Sequence, residues 1–313
     1  MKISIVIPVY KSDESLEFIV KEFNSIQKEQ EYDLEIIFVN DSPFFIKTCK
    51  KLSFLQEKYS SVKVLTLRKN QGQHVATLAG ISKATGKFII TMDDDLQHPV
   101  CDVPKLIDKI KHSAEVEGIF AIPNYKDRKH NLWRNFGSYI LKKTDQIFLK
   151  KPKGLILSSF RIMNSDLARA TVNSYNAMPS VSSIMINCSS NIINMKVSHN
   201  KREYGKTHYT LPKLVNLALN GILYYSSLPL KILGVIGLTG FLGSMLFTFW
   251  VIGRKIFIGI DFPGYASTVT LISFFGGLNL FAFGIIGEYL IRIIKEQQKP
   301  ALKDLIKPED KHQ

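Results

Sequence analysis

Two long apolar runs near one end of the chain restrict its architecture more than any other feature. Residues 232 to 253 are 22 consecutive uncharged positions, and residues 262 to 287 are 26. At about 1.5 Å per helical residue either run exceeds the roughly 30 Å of a bilayer's hydrocarbon core. They predict two transmembrane helices, over 229–253 and 262–291, behind a water-soluble front of residues 1–210. Ahead of them Leu214, Leu217, Ala218, Gly221, Ile222 and Tyr225 share one helical face. That pattern predicts an amphipathic helix over 211–228 lying in the membrane interface. Residues 292–313 form a short tail.

Charge sets the expected orientation. Lys201, Arg202, Lys206 and Lys213 precede the first span, and Arg292, Lys295 and Lys299 follow the second. The segment between them, 254–261, carries only Arg254, Lys255 and Asp261. Both termini and the front are therefore expected on the cytoplasmic side of the inner (cytoplasmic) membrane, as a multi-pass protein. Met1 to Pro8 is too short an apolar run for a signal peptide and stops at a proline. Cys49, Cys101 and Cys188 show no paired spacing, which argues against a disulfide framework or a zinc site.

The front alternates β-branched runs with helical patterns. Strands are predicted over 2–9, 34–39, 62–67, 87–92, 116–122 and 192–197, with helices around 16–26, 46–59, 75–84 and 132–149. Such alternation means an α/β domain with a mostly parallel sheet covered on both faces. Ligands of these sheets bind at the carboxyl ends of the strands. Three of those ends are polar: Asn40-Asp41-Ser42, Arg68-Lys69-Asn70 and Asp93-Asp94-Asp95.

Asp93-Asp94-Asp95 is the strongest chemical signal. Three adjacent carboxylates repel one another, and a cation relieves the cost. Asp93 and Asp95 point the same way from extended backbone, which suits two oxygen ligands on one Mg2+ or Mn2+ with positions left for a diphosphate. The plain alternative is an acidic turn after a strand. Asp41 could accept hydrogen bonds from a base or ribose, and an aromatic at Tyr10 could pack on a nucleobase. The +14 net charge is half concentrated in residues 126–153, where nine Lys or Arg face Asp127 and Asp145. Nothing there interleaves aromatics for base stacking, so nucleic acid is not the expected partner.

Six segments together carry a resemblance over nearly the whole chain. They are residues 5–10 (IVIPVY), 35–42 (EIIFVNDS), 70–80 (NQGQHVATLAG), 85–99 (TGKFIITMDDDLQHP), 159–163 (SFRIM) and 202–209 (REYGKTHY). The chain resembles the inverting family 2 glycosyltransferases of GT-A fold, nucleotide-diphospho-sugar transferases. With two C-terminal spans it looks like the polyprenyl-phosphate group: bactoprenol glucosyltransferases, dolichyl-phosphate mannose synthases and aminoarabinose transferases. The stretch around Gly72-Gln73-His74 is most similar to the last.

The resemblance implies a nucleotide-sugar donor, foremost a UDP-sugar, and a polyprenyl (undecaprenyl) phosphate acceptor among membrane lipids. It serves cell-envelope glycan or lipopolysaccharide modification. Pro8, Tyr10, Asp41, Asp93 and Asp94 are implied at the donor, and Asp93, Asp95 and Gln97 at the metal. Arg128, Arg134, Ser138, Arg161, Arg202 and Lys206 are implied at acceptor phosphate, with Asp95, Arg134 and Ser159 as the catalytic set. A homo-oligomer is left open, as are the sugar and the nucleotide.

Three departures stand out against the family pattern. Asp94 replaces a small middle residue, Tyr125 stands where relatives often have Arg, and Ser159 stands where many have an Asp proposed as base. A phosphate acceptor, mostly dianionic at pH 7, needs no base, whereas a sugar hydroxyl does. The competing readings are a transferase acting on an already lipid-linked saccharide, and an inactive membrane adaptor retaining the fold. A processive polysaccharide synthase fits less well, because Trp133-Arg134 lacks the preceding Gln of that class.

Overall fold

A computed structural model describes residues 1–30, 32–123, 152, 154–198 and 264–308, with scattered positions between 234 and 257. The chain forms two units, Met1–Tyr209 with Lys299–Gln313, and Thr210–Gln298.

The first unit is built on strands β1 (Lys2–Val9), β2 (Asp33–Asn40), β3 (Val62–Thr66), β4 (Phe88–Thr91), β5 (Gly118–Pro123), β6 (Arg161–Asn164) and β7 (Ile192–Val197). Among the described residues they make one sheet in the order β3-β2-β1-β4-β6-β5-β7. β1 pairs in parallel with β2 and β4, and β2 with β3. β6 is antiparallel to both β4 and β5, so the sheet is mixed at that side.

Alternation along each strand divides the core in two. Ile3, Ile5 and Ile7 of β1 with Ile36 and Phe38 of β2 face one apolar cluster, while Val6, Ile37 and Val39 face the other. Every one of these is fully buried, as expected of a parallel sheet covered on both faces. The first cluster is closed by helices α1 (Glu14–Gln30), α2 (Ile46–Lys58) and α4 (Val103–Lys111). The second is closed by α3 (Gln73–Lys83), α5 (Ser165–Asn173) and α6 (Val181–Cys188). α3 lies unusually close to the sheet, because a Cβ at Gly80 would come within 2.3 Å of Val6 Cγ1.

The amino end of the sheet is fastened by Glu35, which is almost wholly buried. Its carboxylate accepts from Ser4 Oγ at 2.6 Å, Lys63 Nζ at 2.6 Å, and both the amide and hydroxyl of Thr85 at 3.0 Å. One side chain thereby ties β1, β2, β3 and the turn before β4.

The strands predicted at 2–9 and 192–197 coincide with β1 and β7, and the others agree within two residues. The structure adds β6, α4, α5 and α6. The expected helices at 132–149 and 211–228 and the loop at 254–261 lie outside the described residues or almost wholly so.

In the second unit the described positions between 234 and 257 are helical, and α7 (Tyr265–Gln297) runs for 33 residues. Several α7 side chains between 265 and 281 are outside the described residues. Among the described residues no helix is long and apolar enough to cross a membrane.

The Glu35 network gives a pH dependence. Burial raises its pKa, but the bonds from Lys63, Ser4 and Thr85 prevail and bring it from 4.5 to about 2. A depressed carboxyl favours the folded state above its unfolded pKa, and that contribution disappears as pH falls from about 4.5 through about 2. Glu35→Gln should lower stability at pH 7 by about 1–3 kcal/mol. It should also flatten the loss of melting temperature between those pH values, followed by circular dichroism. An unchanged acid profile in Glu35→Gln would remove this role.

Candidate active site

Because β1, β2 and β4 run in parallel, their carboxyl ends arrive on one rim. Tyr10 follows β1, Asp41 follows β2, and Asp93-Asp94-Asp95 follow β4. Between them opens a cleft of about 770 Å3 whose walls include Pro8, Tyr10, Ser12, Asp41, Asn70, Gly72, Gln73, Asp93, Asp94 and Asp95. Six residues expected from the sequence at donor or metal, Pro8, Tyr10, Asp41, Asp93, Asp94 and Asp95, thus share one cavity. Tyr10 is 53% exposed, so its ring offers a stacking surface at the rim.

The acidic turn is held by neutral donors from two other places. Asp93 accepts from Gln73 Nε2 at one oxygen and from Ser159 Oγ, at 2.7 Å, at the other. Ser12 lies beside Asp94 and favours its charged form. Burial and the neighbouring Asp93 push the Asp94 carboxyl up to about 7, against the pull of Ser12, with Asp95 adding to the rise. Asp94 Oδ2 is buried with no hydrogen-bond partner. Asp95 Oδ1 accepts the Gln97 amide at 3.2 Å.

Asp41 organises the facing wall. Its two oxygens accept the amides of Gln71 at 2.6 Å and Gly72 at 2.9 Å. Burial pushes its pKa up, and these two bonds oppose the rise. Gly72 sits at φ +87°, a conformation costly for any residue with a Cβ, and it starts α3 so that Gln73 meets Asp93. Lys11 and Leu96 also take positive φ, at 55° and 59°, next to Tyr10 and Asp95. Such conformations cost of order 1–2 kcal/mol in non-glycine residues. The Lys11 amide is fixed by Ser42 Oγ at 3.0 Å.

Ser159 and Arg161 are placed differently from their expected roles. The Ser159 hydroxyl is donated to Asp93, so it holds the acidic turn. Arg161 is 2% exposed, and its guanidinium donates to Thr91 Oγ1 at 2.8 Å and Ser182 Oγ at 2.7 Å. Burial pushes its pKa down to about 10, against the attraction of Asp93. Buried in this way, Arg161 braces the end of β4 and does not present itself to a phosphate in solvent. Gln97 is half-buried and does not line the cleft. Arg128, Arg134, Ser138, Arg202 and Lys206 lie outside the described residues.

Ser12, Asn70 and Gln73 had no expected role, although Asn70 closes one of the polar strand ends. Gln73 follows Gly72, whose place immediately before a helical pattern marks a turn able to aim the first helical residue at a neighbour.

The donor set can be tested against a divalent cation. Among the described residues no three or more His, Cys, Asp or Glu form a metal-holding group. Mg2+ in phosphate-transfer sites usually takes only one or two carboxylates, with substrate phosphates and water completing the shell. Crowded carboxylates with a buried, unpartnered Asp94 oxygen suit that arrangement.

The model of the family described as glycosyl transferase family 2 matches residues 4–171. An uncharacterized glycosyltransferase of Synechocystis sp. is 30% identical over 306 residues, covering 95% of this chain and 92% of that protein. A prophage bactoprenol glucosyl transferase homolog of Escherichia coli is 30% identical over 305 residues, covering 96% of each. An undecaprenyl-phosphate 4-deoxy-4-formamido-L-arabinose transferase of Serratia proteamaculans is 27% identical, covering 93% of this chain and 89% of its own. Among solved structures, mannosyl-3-phosphoglycerate synthase from Rubrobacter xylanophilus superposes with a TM-score of 0.51 at 11% identity, covering 75% of each chain. That likeness bears on the fold alone, and agrees with a GT-A α/β domain. The matched family model spans more than half of the sequence and contains every strand end that lines the cleft, and the chain belongs to glycosyl transferase family 2.

Proposed function

We propose that the chain is a membrane-bound inverting glycosyltransferase. It moves a sugar from a nucleoside diphosphate donor, a UDP-sugar, to a polyprenyl phosphate at the cytoplasmic membrane face, for cell-envelope glycan or lipopolysaccharide modification. The observation that carries this reading is the cleft itself, where an exposed aromatic, a buried Asp41 and three consecutive carboxylates meet at the ends of parallel strands. The printed names of two relatives, a bactoprenol glucosyl transferase homolog and an undecaprenyl-phosphate sugar transferase, support the acceptor class.

Tyr10 stacks on the base, while Pro8 and Asp41 shape the nucleoside end. Asp93 and Asp95 hold Mg2+ or Mn2+, Asp93 being fixed in place by Gln73 and Ser159. When bound, the cation supplies Lewis-acid stabilisation of the charge that grows on the departing diphosphate. The acceptor phosphate attacks the anomeric carbon from the opposite face, which inverts it. No residue has to take a proton from a phosphate that is already mostly dianionic at pH 7. That matches a Ser159 whose hydroxyl is committed to Asp93. Arg128, Arg134, Arg202 and Lys206 supply the positive charge that draws the acceptor, and Ser138 offers a hydroxyl to its phosphate.

Membrane attachment is supported by the sequence alone, where Phe262 to Gly287 is an uncharged run long enough to cross a bilayer as a helix. A second span comes from residues 232–253, with both termini cytoplasmic.

The reading is tested with a panel of labelled sugar nucleotides, undecaprenyl phosphate and membranes enriched in the protein. One donor should pass its label into the organic phase, and Asp95→Asn should abolish the transfer. Label recovered only in water-soluble product, or full transfer by Asp95→Asn, contradicts it. Ser159→Ala should slow transfer by less than about tenfold, or 1.4 kcal/mol. A loss of about a thousandfold, roughly 4 kcal/mol, would mean that Ser159 does more than hold Asp93.

A further inference from the structure

β3 is an edge strand, and the end of it nearest the cleft is covered by the far end of the chain. The Arg68 amide donates to Leu305 O at 2.8 Å, the Lys307 amide donates to Thr66 O at 2.8 Å, and Leu67 and Ile306 form an antiparallel bridge. Arg68 Nε adds a bond to Asp304 O at 2.9 Å. Leu302 and Leu305 are buried in the cluster that contains Leu67, Val75 and Ala79. At its start Lys299 donates to Tyr175 O and lies over the Tyr175 ring. This segment groups with the first unit, although more than 120 residues separate it from the family-matched region.

We infer that residues 299–307 are a positioning strap for the donor side of the cleft. The backbone that the strap pins at 66–68 runs directly into Asn70 on the cleft wall. Next come the Gln71 and Gly72 amides that Asp41 binds, and then Gln73, which holds Asp93. The loop 67–73 is thus clamped from inside by Asp41 and from outside by the strap. Added main-chain hydrogen bonds on an exposed edge give affinity without a large interface, and Leu302 and Leu305, one 3-10 turn apart, seat the segment in the apolar cluster. The strap begins two residues after the last residue of α7 in the sequence. That the ordered loop serves a nucleoside diphosphate rests on the function proposed above.

The test uses the full chain in nanodiscs with Leu302→Asp and Leu305→Asp combined. Amide exchange at Gln71 and Gly72 should accelerate by about tenfold or more, while Val6 and Ile37 keep their protection. Binding of UDP with Mn2+ should weaken by about tenfold. A milder variant, Lys307→Pro, removes one strap amide and should shift the same positions less. It decides the matter if the double variant loses protection throughout the sheet. Unchanged exchange at Gln71 and Gly72, with Arg68 deprotected, overturns the strap's role. If the unaltered chain binds no UDP, the donor reading fails, and the exchange data still judge the strap.

Discussion

Like charge concentrated where β4 stops is the constraint around which the first unit is arranged. Asp93, Asp94 and Asp95 follow one another with Asp94 Oδ2 buried and unpartnered. Such a turn holds its shape only if neutral donors share the load. They come from the start of α3 (Gln73) and the segment before β6 (Ser159). Two separate stretches of chain are therefore committed to one carboxylate cluster. Arg161 joins them at a distance, its buried charge attracted by Asp93 while Thr91 and Ser182 take its hydrogen bonds.

Much of this was legible in the sequence. Alternating buried positions such as Ile5, Val6 and Ile7 announce a two-faced parallel sheet, and the polar triplets mark its carboxyl rim. β6 was not legible. It has four residues, opens with an arginine, and is antiparallel within an otherwise parallel pattern. A buried arginine in a strand makes sense only beside Thr91 and Ser182, which lie 70 and 21 residues away. Gln73 was hidden for a similar reason, since its aim depends on the positive φ of Gly72 and not on any side-chain pattern. The strap had no local signal either, because its partner Arg68 is 236 residues earlier.

Ser159 illustrates how the same atom reads differently in sequence and in space. In the family pattern its position suggests a base. In the fold its hydroxyl points at Asp93, and its carbonyl accepts from Thr91 Oγ1 at 2.8 Å. A side chain bonded in this way fixes the orientation of Asp93, and its hydroxyl is not free to act as a base. On the function proposed above, the chemistry left for the chain is to align two charged reactants and offset the charge on the one that leaves.

The proposed transfer requires the acidic turn to bind a metal together with a nucleoside diphosphate. Electron paramagnetic resonance titration of Mn2+ into the purified chain, with and without UDP, measures this directly. Linkage requires each ligand to tighten the other by the same factor. The account predicts that UDP raises Mn2+ affinity by about tenfold or more and that Asp95→Asn removes the effect. Equal Mn2+ affinity with and without UDP, or coupling that survives Asp95→Asn, would contradict it.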